Sequence, residues 1–219
     1  GVSLSTSAAF TLVPDGTQQI ELLLRNLAGG GVVGKWVPTP YLIVLKTTDL
    51  LADVDNVTDY SAAAAEATTG DVVLSSLDTL ANGDALWVGS HLPFRGLVCT
   101  STAANGNVSV MTGTYWNGTA LADISLTDGT VSAGKTMGQT GNVTWTVPTA
   151  WAKAALSAIV SPTDMAIPYR DEPLYWARLV VSAALDASST LASIQAMSRS
   201  TAYANLIAAP PGFTFRAYK

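Results

Sequence analysis

The chain has 219 residues, enough for one large all-β domain or one domain with an extended arm. Hydrophobic residues make up 48% and charged residues only 12%, about half the usual share, which leaves too few charges to cover a lone domain and implies broad contact with other protein. The net charge of −5, with Lys and Arg scattered singly, excludes a nucleic-acid stripe, and runs such as Tyr41-Leu42-Ile43-Val44-Leu45 are far shorter than the ~20 residues of a membrane-spanning helix.

The opening Gly1-Val2-Ser3-Leu4-Ser5 lacks the basic region and apolar core of a secretory signal, so none is expected. Phe10-Thr11-Leu12-Val13 has strand character and is closed by the turn Pro14-Asp15-Gly16. Gln19 to Arg25 alternates imperfectly, and its place after a turn favours a second strand. Ala28-Gly29-Gly30-Gly31 reads as a linker. Trp36-Val37-Pro38-Thr39-Pro40 is extended, because each proline pushes its predecessor out of the helical region, and Tyr41 to Thr47 is a strand. Residues 1–47 therefore read as an N-terminal arm with the first strands, anchored by Phe10, Leu12, Trp36 and Tyr41.

Residues 48–70 carry Asp49, Asp53, Asp55, Asp59 and Glu66, and Ala62 to Ala65 has no apolar stripe beside it. An exposed loop with at most one helical turn is expected. The acids lack the Asp-x-Asp-x-Asp-Gly order of a calcium loop.

Residues 71–219 repeat strand and turn, the pattern of a β-sandwich or jelly roll with at most one or two short helices. Val72 to Leu74 is a strand, Ala81-Asn82-Gly83-Asp84 a turn, and Ala85 to Gly89 the next strand. Leu97 to Ser101 follows. Asn105-Gly106-Asn107 reads as a hairpin, Gly113 as a bulge in the strand ending at Trp116, and Asn117-Gly118 as another turn before Leu121 to Leu126. Thr149 to Ile159 is the best helix, capped by Thr149, with Trp151, Ala155 and Ala158 on one face. Leu174 to Ala183, Thr190 to Met197 and Phe213 to Tyr218 complete the strands. The heavy aromatics Trp87, Tyr115, Trp116, Trp145, Trp151, Tyr175 and Trp176 sit in or beside these strands and are expected to fill the interior.

Catalytic signatures are missing. The single histidine, His91, lies in a turn with no Gly-x-Ser-x-Gly elbow near it, and Cys99 is a lone cysteine in an apolar run, so neither a nucleophilic triad nor a zinc site is expected. Gly29-Gly30-Gly31-Val32-Val33-Gly34-Lys35 has the wrong spacing for a phosphate loop. Asp128, Asp171 and Glu172 flank aromatic strands, where a glycosidase pair would need two carboxylates about 5–10 Å apart. Arg178 reads as an outer-face residue or an ion-pair partner of Asp171 or Glu172.

Taken in order, Phe94-Arg95-Gly96, Tyr115-Trp116-Asn117-Gly118-Thr119, Asp128-Gly129-Thr130, Gly141 with Val143-Thr144-Trp145, Pro148-x-x-Trp151 and Tyr175-Trp176-Ala177-Arg178 resemble a β-sandwich module of tailed-bacteriophage virion proteins. The resemblance covers roughly residues 85–200. It implies a non-enzymatic virion structural protein, assembled in the host cytoplasm, of the capsid decoration, head-fibre or tail type. With the low charge it favours a capsid decoration (cement) protein. The expected partners are the major capsid protein or other virion proteins and further copies of the chain, with no cofactor, metal, nucleic acid or membrane. The alternative is a tail, baseplate or fibre component with a glycan-binding face, whose cue would be exposed tryptophans.

Overall fold

The computed structural model describes residues 42–48, 57–65, 71–75, 77–160 and 169–198, together with the backbone of the strands Gln19–Leu23, Val33–Lys35, Tyr203–Asn205 and Thr214–Tyr218. The arm anchors Phe10, Leu12, Trp36 and Tyr41, and the strand expected at 10–13, lie outside these residues. Strands are numbered along the chain.

The chain divides into two compact units, Gly1–Trp36 with Ala202–Lys219, and Val37–Thr201. These cuts fall elsewhere than the boundaries 1–47, 48–70 and 71–219 read from composition. In the first unit β1 (Gln19–Leu23) pairs antiparallel with β16 (Thr214–Tyr218), and β2 (Val33–Lys35) with β15 (Tyr203–Asn205). The N-terminal strands thus find their ladder partners in the chain's own C-terminal segment.

The second unit bears out the all-β expectation, with two antiparallel sheets and two short helices. One sheet runs β4 (Val57–Asp59), β3 (Ile43–Thr48), β6 (Asp84–Ser90), β13 (Leu174–Val181), β8 (Met111–Trp116), β9 (Leu121–Asp123), and β12 (Lys153–Ala154) adds to β13. The other runs β10 (Thr127–Asp128), β11 (Gly141–Thr144), β7 (Phe94–Ala103), β14 (Thr190–Ser198), β5 (Val72–Val73).

Period-two alternation explains the packing. Val44, Leu86, Val88, Ala177 and Leu179 of the seven-stranded sheet join Leu97, Cys99, Val143, Leu191 and Ile194 of the five-stranded sheet in one buried cluster. The opposite face of the seven-stranded sheet carries a second cluster, in which Ile43, Leu45, Trp87, Leu174 and Trp176 pack with Leu156 of helix α2 (Leu156–Ile159). Every residue of β6 is buried, so its unbroken apolar run Ala85-Leu86-Trp87-Val88 is that of a strand covered on both faces.

Four local expectations are corrected. The helix expected from Thr149 begins only at Leu156, with Ala155 at its N-cap and no side-chain cap, because the preceding segment is spent seating Trp151 and adding β12 to the sheet. The stretch 48–70 contains β4 and a docked helix α1 (Ser61–Ala65): Asp59 accepts from the Ser61 N–H at 2.9 Å, and Ala64 is buried. Asn105-Gly106-Asn107 joins no hairpin, since β7 and β8 belong to different sheets. Buried Asn105 holds this crossing by donating to the carbonyls of Asn107 (2.8 Å) and Thr136 (3.0 Å) and accepting from Asn107 (3.0 Å) and Asp186 (3.1 Å). Gly113 pairs in regular register; its missing side chain makes room for Leu126, Ile124 and Leu179, which a Cβ would meet at 2.8–3.0 Å. Asn117-Gly118 does turn β8 into β9, with Gly118 at φ 99°.

Candidate functional site

Trp151 stands at the centre of the aromatic core. Its ring lies 5.1 Å from Phe94, 6.0 Å from Tyr115, 6.0 Å from Tyr175 and 6.4 Å from Trp145, centroid to centroid. On the other side of the sheet Trp87 and Trp176 meet edge-on at 6.4 Å. Each buried indole N–H named here reaches a carbonyl: Trp145 to Phe94 (2.9 Å), Trp151 to Trp176 (3.2 Å), Trp176 to Ala154 (3.1 Å). A buried ring of this size contributes about 4–6 kcal/mol of transfer free energy, against about 0–1 for an exposed ion pair. Trp87, Trp145, Trp151 and Trp176 are buried, and Tyr115 and Tyr175 are packed against the inner cluster. Trp116, on β8, is partly exposed.

The polar residues divide into small structural assemblies. His91 Nε2 lies 3.0 Å from Glu172 Oε1 at the surface. Asp171 accepts from the Ser157 hydroxyl at 2.9 Å and lies 3.9 Å from Arg170 Nε. Asp128 accepts from the Thr130 N–H at 2.8 Å and from the Thr136 hydroxyl, pinning the turn after β10. Asp186 accepts from Ser188, Ser189 and the Gly106 N–H, and these bonds, led by that of the Ser188 hydroxyl, hold its carboxyl down at about 2. Cys99 is fully buried, and burial pushes its thiol up to about 12. Among the described residues no three His, Cys, Asp or Glu side chains gather as a metal site.

The outer face of the seven-stranded sheet is different. In consecutive register Trp87 of β6 lies beside Arg178 of β13, Arg178 beside Thr114 of β8, and Thr114 beside Asp123 of β9. The Arg178 guanidinium sits 5.7 Å from the Trp87 ring centroid. Arg178 Nε and Thr114 Oγ1 are both buried and have no hydrogen-bond partner among the described residues. Burial draws the guanidinium below its ordinary value, and it stays cationic. Arg178 thus takes the outer-face place expected of it; Asp171 and Glu172 pair with Arg170 and His91 instead. Asp123 is exposed and held below the usual carboxylate range by Ser125, whose hydroxyl donates at 2.9 Å. The sequence offered no cue to this row, because it exists only once four strands are in register.

Compared with protein-family models, with curated proteins and with solved structures, the chain matches none.

Proposed function

We propose that this chain is a non-enzymatic virion structural protein, of the capsid decoration type, which binds a capsid lattice and neighbouring copies of itself. The observation that carries the reading is the use of the large aromatics. Trp87, Trp145, Trp151 and Trp176 are consumed by packing, and three of their indoles are tied to main-chain carbonyls. They build a rigid two-sheet body with few charges, suited to assembly through its faces. The resemblance of the motif order to phage virion modules supplies the setting. A glycan-binding tail or fibre component has less behind it: of the tryptophans whose side chains are described, only Trp116 is partly exposed, and Trp151 is buried where a sugar would have to stack.

Quantitative mass spectrometry of purified phage particles tests the proposal. A copy number commensurate with the capsid lattice is expected. Only a few copies per particle would exclude a lattice cement and shift the assignment to the tail or vertex.

A further inference from the structure

We infer that the outer face of the seven-stranded sheet, at its β13–β8–β9 end, is a self-complementary interface that binds a second copy of this chain about a two-fold axis. Arg178 and Asp123 lie on one face in one cross-sheet row, with Thr114 midway between them. Strands are spaced about 4.8 Å apart, so the two positions are separated by about 10 Å, and among the described residues no ion pair joins them. The closest carboxylate of the row therefore leaves Arg178 unsatisfied at home.

A two-fold axis lying in the interface, parallel to β8 and passing over Thr114, removes the mismatch. It places Arg178 of each copy over Asp123 of the other, so one operation makes two ion pairs. The same axis stacks β8 on its own copy. The outward residues of β8 and its approach are Val110, Thr112, Thr114 and Trp116, and Val110, which continues the β8–β13 ladder through its bond with Ser182, is 60% exposed. Val108, two residues earlier, is 68% exposed. The strip along the axis is thus β-branched at its middle, with the Thr112 and Thr114 hydroxyls there and Val110 and Trp116 at its ends, while the flanking pairs fix orientation. Face-to-face sheets pack about 10 Å apart, a gap that an arginine and an aspartate span together.

The choice of a second copy as occupant draws on the reading of this chain as a self-associating building block, and on charge self-complementarity, which a foreign partner would not require. A foreign acidic segment is the competing occupant, and the test separates them. Sedimentation velocity on the full chain is expected to show a dimer. Val110→Glu sets two like charges against each other at the axis, and Asp123→Lys turns both ion pairs repulsive. Both positions are exposed, so folding, checked by thermal melting, is expected to hold. Asp123→Lys should weaken dimerisation roughly a hundredfold, about tenfold for each of two symmetry-related contacts, and Val110→Glu, which alters one contact on the axis, roughly tenfold. Asp123→Lys combined with Arg178→Glu restores opposite charges and should recover the dimer; should that double variant fail to fold, the two exposed single variants decide alone. A monomeric wild-type chain, or a dimer indifferent to both single variants, overturns the inference. Neither result touches the copy number on particles, so the lattice reading stands or falls separately.

Discussion

The contact between Gly89 and Trp176 gives the sharpest test of the fold. The two are register partners on β6 and β13, and the indole lies flat over the glycine. A Cβ at position 89 would sit 2.7–2.9 Å from Cζ3, Cε3 and Cη2 of that ring. The ring has nowhere to retreat: it is fully buried, its N–H is bonded to Ala154, and Trp87 meets it edge-on. Gly89→Ala should therefore cost about 1–3 kcal/mol as overpacking. For a chain of this length that corresponds to a melting temperature lower by about 2–12 °C. The discriminating step is the same substitution in a Trp176→Leu background. With the ring gone, alanine is expected to stabilise by about 0.5–1 kcal/mol, because it restricts the unfolded strand more than glycine does. Urea denaturation of the four proteins closes the cycle. An equal cost for Gly89→Ala in both backgrounds would refute the reasoning, since the penalty would then have nothing to do with the ring.

Trp145→Phe keeps a ring in the core but leaves the buried Phe94 carbonyl without its indole donor at 2.9 Å, so a loss of about 1–3 kcal/mol is expected by urea denaturation. Asp186 titrates at about 2 when folded, below the ~3.9 of an unfolded aspartate, so its contribution is complete above the unfolded value and fades as pH falls toward the folded one. Asp186→Ala should thus lie below wild type in stability at neutral pH, and the gap should close on acidification from about pH 4 to pH 2, followed by denaturation at stepped pH. Cys99 should resist a thiol reagent in the native protein even at mildly alkaline pH and react fully on unfolding, because it is buried and its thiol stays protonated up to about 12.

Strands with strong apolar alternation were legible in the sequence: Leu174–Val181 and Met111–Trp116 fall where β-branched runs and turns placed them. Trp151 was misplaced on a helix face because spacing alone cannot distinguish a helical stripe from one large ring that plunges into a core formed by distant strands. In β14 burial changes phase, which no simple alternation encodes: Leu191 is buried, yet Ile194 and Ala196 are buried in the opposite phase, since register shifts flank Leu191 and turn the strand over. α1 lacked a stripe because two small residues, Ser61 and Ala64, are the ones it buries, and the Ser61 hydroxyl accepts from the Val44 N–H at 3.0 Å. Arg178 gave no hint of its surroundings, since its row is written in register and not in neighbouring residues.

The edges and faces of the second unit point to how it makes contacts. Its edge strands β4, β5, β9 and β10 have only two or three residues each, too short to template much strand addition from another chain. For the association proposed above, that leaves its faces. The outer side of the five-stranded sheet presents Thr100, Asn142 and Gln195, exposed side chains that water satisfies at little cost. The outer side of the other sheet presents Val110 and, four residues further along the chain, the row in which Arg178 and Thr114 have buried, unpaired atoms. Covering the first face gains little and strips hydration from polar groups. Covering the second buries apolar surface already in contact with water and brings a carboxylate to a cation that lacks one. On that difference the β13–β8–β9 face is the one where a second copy gains most.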